Sequence, residues 1–314
     1  MSLISTATNP CPPLVINGFF KTRDGLSLRF ARWIENDWTS RGTVCILSGR
    51  GEFIEKYYEV IGELRKRKFN VAIFDWRGQG GSDRSLRNPK KGHVKSFKKY
   101  DNDLQDFMKE VVLPFCPGPY IALGHSMGGT ILLRNLTRND TFFSCSILTA
   151  PMIAIADIES DFKQKITKIV LEFLCFFGLA KILVPERHRK ISRLERFEKN
   201  NLTSDFTRWE RTKDVINASS ILKIGPPTFG WTRAAFRALM HLQNSNISQR
   251  IKTPILIFAA GSDGVVSSRW TEKFSKKIKH CTFIYLHGAL HEILQEKDQI
   301  RQRFWAAFDA YTRT

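Results

Sequence analysis

The pentapeptide Gly124-His125-Ser126-Met127-Gly128, with an apolar run before it and a helical one after it, restricts this chain more than any other stretch. Pro119-Tyr120-Ile121-Ala122-Leu123 reads as a short buried strand, and Gly129-Thr130-Ile131-Leu132-Leu133-Arg134-Asn135-Leu136 reads as a helix. A serine on the sharp turn between them has its hydroxyl pushed out above a sheet, in a strained backbone conformation that needs small neighbours. Gly124, Gly128 and Gly129 are those neighbours. A bare G-x-S-x-G arises by chance in many chains. Flanked by strand and helix in this order, it predicts a nucleophile elbow at Ser126.

The rest of the chain supplies a sheet for that elbow. Residues 15–20 and 27–34 alternate in hydropathy on either side of Arg23-Asp24-Gly25, a hairpin signal. Strand-like and helix-like runs then take turns, with strands expected at 43–47, 70–75, 119–123 and 142–148 and an amphipathic helix at 100–112. Such alternation predicts an α/β fold whose mostly parallel sheet is covered on both faces. It stops over residues 153–250, which are helix-like, basic and aromatic, and resumes with strands at 254–260 and 281–286, eight in all. A helical insertion between strands 6 and 7 reads as a cap over the strand ends where catalytic loops converge. The expected organisation is a core of 1–152 and 251–314 with a cap of 153–250. Within the cap, Phe162, Ile166, Ile169, Val170, Phe173 and Phe177 follow helical spacing, with Lys163, Lys165 and Lys168 off the stripe. That stripe packs on the core, lines an acyl-chain tunnel or touches lipid.

A serine nucleophile needs a base, and the base needs an orienting carboxylate. On this kind of sheet they follow in the order acid then histidine, each past the end of a later strand. Asp263 stands just after the strand at 254–260. After the last strand come two histidines, His287 and His291. His287 abuts the strand and suits a structural, partly buried role. His291 lies beyond Gly288-Ala289, which let the loop turn back over the sheet, and is the better base. The expected triad is Ser126, Asp263 and His291. An oxyanion needs two backbone N–H donors. Met127, next to the nucleophile, offers one, and Arg50 in the glycine-flanked loop Ser48-Gly49-Arg50-Gly51-Glu52 offers the other.

Three stretches together carry a family likeness. Ser48-Gly49-Arg50-Gly51-Glu52-Phe53-Ile54-Glu55-Lys56-Tyr57, Phe74-Asp75-Trp76-Arg77-Gly78-Gln79-Gly80-Gly81-Ser82 and Gly124-His125-Ser126-Met127-Gly128-Gly129 resemble the serine α/β-hydrolases of the monoacylglycerol lipase and lysophospholipase L2 group. Asn200-Asn201-Leu202-Thr203-Ser204-Asp205 and Gly225-Pro226-Pro227-Thr228-Phe229-Gly230-Trp231 resemble the second branch more closely. The likeness implies nucleophile Ser126, acid Asp263, base His291 and oxyanion amides at Arg50 and Met127. It also implies the substrate class: esters of single-chain lipids, lysophospholipids first and monoacylglycerols second, with a general carboxylesterase as a further alternative. No cofactor and no metal are implied. The family usually has His-Gly where this chain has Ser48-Gly49, which bears on the fine geometry of a loop whose donor is a backbone amide.

Composition removes several other classes. At 314 residues with 42% hydrophobic and 25% charged residues, the chain has an ordinary globular make-up. No apolar run approaches the ~20 residues of a membrane span. The first ten residues hold no Lys or Arg, so a signal peptide is not expected. Six scattered cysteines without C-x-x-C suit a reducing cytoplasm. The outlier is a net charge of +19, which calls for an anionic partner. Nucleic acid is not expected, because no zinc-finger, P-loop or aromatic RNA-binding pattern is present and Gly49-Arg50-Gly51 lacks the third glycine of a dinucleotide site. Arg65-Lys66-Arg67-Lys68, Lys90-Lys91, Lys98-Lys99, Arg187-His188-Arg189-Lys190 and Lys276-Lys277 each read as a solvated face. Their sum favours peripheral contact with an anionic membrane surface. The rival class, a non-catalytic binding protein on the same fold, would lack a triad residue or the elbow glycines, and this chain lacks none.

Overall fold

The computed structural model describes residues 2–35, 40–138, 141–185 and 196–313. The basic cluster Arg187-His188-Arg189-Lys190 lies outside the described residues. Eight strands form one sheet: β1 (Val15–Lys21), β2 (Ser27–Trp33), β3 (Thr43–Leu47), β4 (Asn70–Phe74), β5 (Tyr120–His125), β6 (Cys145–Thr149), β7 (Ile255–Ala260) and β8 (Cys281–Leu286). Their spatial order is β1-β2-β4-β3-β5-β6-β7-β8. The β1–β2 hairpin and the β2–β4 pair are antiparallel, and every pairing from β4 through β8 is parallel.

All residues of β3, β4 and β7 are buried. Successive side chains of a strand point to opposite faces, so both faces of the sheet are covered. The cover in the core includes α1 (Tyr58–Lys66), α2 (Lys98–Phe107) and α3 (Met127–Leu136). Between β6 and β7 lie α4 (Asp161–Phe176), α5 (Phe206–Ala218), α6 (Phe229–Gln243) and the single turn α7 (Ser245–Ser248), with no sheet strand among the described residues. The chain closes with α8 (Ser268–Ser275) and α9 (Asp298–Thr312).

The inserted helices are bound to the core at several points. The apolar face of α6, with Trp231, Ala235, Leu239 and Leu242, belongs to the same continuous apolar core as the sheet. Arg208 on α5 reaches Glu59 on α1 at 2.7 Å and Asp298 on α9 at 2.6 Å. Thr228 Oγ1 meets His93 Nδ1 at 2.8 Å. By contrast Phe162, Ile166, Ile169, Val170, Phe173, Phe176 and Phe177 along and just after α4 are exposed. The stripe therefore does not pack on the core. What α4 buries is Gln164 and Leu171, while the partly exposed Glu172 pairs with Arg237 of α6 at 2.5 Å.

The cluster Arg65-Lys66-Arg67-Lys68 is not a plain solvated face either. Arg65 binds Glu35, and Arg67 binds Glu63 and Asp309 while lying over the Trp305 ring, so it ties α1 to α9. Planar guanidinium groups suit such bidentate and stacked contacts. Among the described residues, no helix is long and apolar enough to cross a membrane.

Candidate active site

The turn that carries Ser126 is set by three parallel strands. β5 delivers the chain to Ser126, whose φ of 49° and ψ of −115° lie outside the helical and extended regions. Its backbone is pinned next to β6: the N–H donates to Thr149 O at 3.1 Å, and its carbonyl accepts from Met152 N at 3.1 Å. The helix that follows presses on the end of β3, where a Cβ on Gly128 would lie 2.0 Å from Leu47 O. Only glycine fits that approach. The strain at Ser126 is thus held in place by neighbours on both sides.

Asp263 and His291 arrive from the next two strands. Past β7, Asp263 Oδ1 accepts from the amides of Val265 and Val266 at 2.8 and 2.9 Å. Its Oδ2 lies 2.8 Å from His291 Nδ1, and His291 Nε2 lies 3.0 Å from Ser126 Oγ. A carboxylate only accepts, so Nδ1 carries the proton and Nε2 is left to accept from the serine hydroxyl. Burial would raise the Asp263 carboxyl, but His291 and the two amides hold it below its ordinary value. Ser126 is 8% exposed and His291 4%, so the line is enclosed. The three residues singled out in the sequence meet in one hydrogen-bonded chain.

The other histidine lies apart. His287 is exposed, with its ring edge-on to Tyr285 at 4.8 Å, and not partly buried as its place beside a strand suggested. β8 is the outer strand of the sheet, so a residue just past its end can face solvent.

Met127 opens α3, and a first-turn amide has no acceptor within its own helix. Arg50 sits in the loop after β3, beside that helix start. Its guanidinium donates to Gly225 O at 2.8 Å and lies over the Trp231 ring at 5.1 Å, so the insertion is anchored on this loop. Ser48, which stands where the family has histidine, is buried and its Oγ has no hydrogen-bond partner. Gln79 steadies the loop instead, donating to Gly49 O at 2.9 Å and accepting from Gly51 N at 3.2 Å.

The segment at Asn200-Asp205 acts as a strap across the loops that carry the acid and the histidine. Leu202 O accepts from Glu292 N at 2.7 Å, and Thr203 Oγ1 donates to Gln295 O at 2.6 Å. Asn201 Nδ2 reaches Gly264 O at 3.4 Å. Two buried groups beside the site have no role that the sequence alone assigns. The His125 ring lies against that of His291, tilted by 51° with centroids 4.9 Å apart, and Lys56 joins two carboxylates below the loop. Both stand in stretches that carry the family likeness, and Glu52 and Lys56 are spaced by four. Among the described residues, no group of three or more His, Cys, Asp or Glu side chains is placed to hold a metal ion.

Comparison with known proteins bears on the family and on the fold. The family model described as "Serine aminopeptidase, S33" matches residues 39–298. Lysophospholipase L2 of Escherichia coli (strain K12) is 30% identical over 288 residues, covering 88% of this chain and 82% of that protein. Probable lysophospholipase L2 of Haemophilus influenzae is 25% identical over 285 residues, covering 90% and 88%. Among solved structures, a soluble variant of monoglyceride lipase from Saccharomyces cerevisiae, in complex with a substrate analog, superposes with a TM-score of 0.74 over 98% of both chains. At 19% identity that last likeness establishes a shared fold.

Proposed function

The chain belongs to the serine aminopeptidase S33 family of α/β-hydrolases, and from that premise we propose that it hydrolyses carboxylic esters of single-chain lipids, most readily lysophospholipids. The observation that carries this reading is the unbroken line Ser126–His291–Asp263 on a strained elbow. In the proposed mechanism Ser126 Oγ attacks the ester carbonyl while His291 Nε2 takes its proton. Asp263 holds the ring in the right tautomer and stabilises the imidazolium. The amides of Arg50 and Met127 bind the tetrahedral oxyanion, where one well-placed donor is worth about 3–4 kcal/mol of barrier. His291 then protonates the leaving alcohol and activates water to release the fatty acid from Ser126.

The substrate class is supported by the two lysophospholipase L2 relatives, each matched over most of its length. A net charge of +19 agrees with a phosphate-bearing lipid. The reading includes peripheral contact with an anionic bilayer through the outer face of α4. What supports this is the exposed stripe from Phe162 to Phe177, flanked by Lys163, Lys165 and Lys181, all exposed. An apolar helix face edged with lysines suits the interface of an anionic membrane, at up to ~1 kcal/mol per cation that reaches it.

The test is fatty-acid release from lysophosphatidylglycerol, lysophosphatidylethanolamine and a monoacylglycerol of matched chain length. Release is expected from all three, fastest from the lysophospholipids. Ser126→Ala should lose it by at least ~10⁴-fold with an unchanged melting temperature. Faster monoacylglycerol turnover would move the substrate to the alternative. Tight binding without release would make the chain a non-catalytic binding protein.

A further inference from the structure

Behind the candidate oxyanion loop lies a group of buried charges that the mechanism above does not use. Glu52 Oε2 accepts from the Gly49 amide and from the Tyr57 hydroxyl, the latter at 2.6 Å. Its other oxygen lies 2.9 Å from Lys56 Nζ. The same ammonium donates to Glu292 Oε1 at 2.5 Å. Glu292 directly follows His291. The Lys56 carbonyl is held as well, by Gln295 Nε2 at 3.0 Å. One cation therefore joins the loop that presents Arg50 to the loop that presents His291, across 236 residues of sequence.

The surroundings leave this cation little freedom. The Lys56 side chain is 6% exposed, and those of Glu52 and Glu292 are 7% and 10% exposed. A Cβ on Gly49 would come 2.9 Å from Glu52 Oε2 and 3.1 Å from His125 Cδ2, so the loop is packed directly on the carboxylate. His125, whose tilted ring lies against that of His291, has its Nε2 4.0 Å from Glu52 Oε1. Burial works against the charge on both partners, yet Glu292 and Glu52 raise the Lys56 ammonium above its ordinary value and Lys56 pulls Glu52 down to about 2. The pair stays ionised.

A buried cation shared by two carboxylates is a poor device for stability alone, because the desolvation of three charges offsets most of their attraction. What it does well is fix relative position, since the ammonium can satisfy both carboxylates only when both loops are in register. Catalysis depends on that register. The oxyanion donors and the base act on one reacting carbonyl, and a 1 Å error between them costs about 10²-fold in rate.

We propose that Lys56 is a positioning residue of this enzyme: through Glu52 and Glu292 it locks the oxyanion loop and the base loop into one geometry. This rests on the reading of Ser126 as an ester-cleaving nucleophile. Loss of the ammonium would leave two carboxylates facing each other beside the place where the oxyanion's negative charge develops, and Glu52, which holds the Gly49 amide, would lose its cation.

The experiment compares wild type with Lys56→Met, Lys56→Arg and Glu292→Gln on a short soluble aryl ester, with active sites counted by fluorophosphonate titration. An alkylboronic acid serves as a mimic of the tetrahedral state. For Lys56→Met, kcat per titrated site should fall about 30–100-fold with KM changed less than about threefold, and boronate affinity should fall in parallel with kcat/KM. Lys56→Arg should recover at least a third of the lost kcat on a logarithmic scale. Glu292→Gln, which keeps the Lys56–Glu52 pair, should lose about tenfold in kcat. If Lys56→Met does not fold, Glu292→Gln decides by the same criteria. A lowered melting temperature with wild-type kcat per site and unchanged boronate affinity would overturn the proposal. Wild-type protein that leaves the ester intact would instead refute the hydrolase reading and take this inference with it.

Discussion

Helices α4 and α6 belong to the same insertion, lie against each other and carry much the same sequence pattern, yet they bury opposite things. α6 sends Trp231, Ala235, Leu239 and Leu242 into the core shared with the sheet. α4 turns its apolar stripe outward, leaving Phe162 72%, Phe173 61% and Phe176 84% exposed. Helical periodicity says that a helix has an apolar face; it does not say what that face meets. For α6 the partner is the protein's own sheet. For α4 the proposed partner is a bilayer, since large apolar patches rimmed by cations mark interaction sites and not idle surface.

The comparison breaks first on stability. Leu239→Ala on α6 should cost about 3 kcal/mol in denaturant unfolding, as expected for a buried leucine that leaves a cavity. Phe173→Ser with Phe176→Ser on α4 should stay within about 0.5 kcal/mol of wild type, as exposed sites do. If the pair costs as much as Leu239→Ala, α4 is core and the contrast fails.

Binding sharpens it next. The same double variant should bind phosphatidylglycerol-containing vesicles about tenfold more weakly, while turnover of a short soluble ester stays unchanged. Wild-type binding should also weaken as salt rises, because screening shortens to ~3 Å at 1 M. Equal wild-type affinity for neutral and anionic vesicles at low salt would refute the electrostatic part.

The smallest expected effect is on pH. Glu59, where Arg208 of α5 and Arg301 of α9 converge, is pushed up by burial but brought down to about 2 by those guanidinium groups. A carboxyl with a depressed folded pKa contributes stability that is complete above its ordinary value near 4.5 and is lost as pH falls toward 2. His125, kept below its ordinary 6.5 by burial, works in the same direction, costing stability as pH drops through and below that value. Melting temperature should therefore fall gently below pH 6.5 and more steeply below pH 4.5, with Glu59→Gln flattening the second slope. A curve equally steep in the variant would contradict the role of Glu59.

These contrasts also mark what the sequence could say. The eight strands were legible because buried strands leave short apolar runs between turn residues. Ser126, Asp263 and His291 were legible as a set because each follows such a run in a fixed order along the chain, and the geometry unites them. The direction of the α4 stripe was not legible, since periodicity is blind to the partner. Nor was the role of Arg65 and Arg67, whose charges read as solvated until Glu35 and Asp309 came close in space. His287 was misjudged because the edge position of β8 is a property of the sheet and not of the segment. The Glu52–Lys56–Glu292 group was hidden for a similar reason: its ends are far apart in sequence and meet only after folding.

The reacting group proposed for this chain is the Ser126 hydroxyl, made nucleophilic by His291. A fluorophosphonate tests it directly, with the adduct located by peptide mass spectrometry and the rate of modification measured for wild type, His291→Ala and His287→Ala. One adduct is expected, on Ser126, formed at the wild-type rate in His287→Ala and at least ~10³-fold more slowly in folded His291→Ala. An adduct on another residue, or undiminished labelling of His291→Ala, would contradict it.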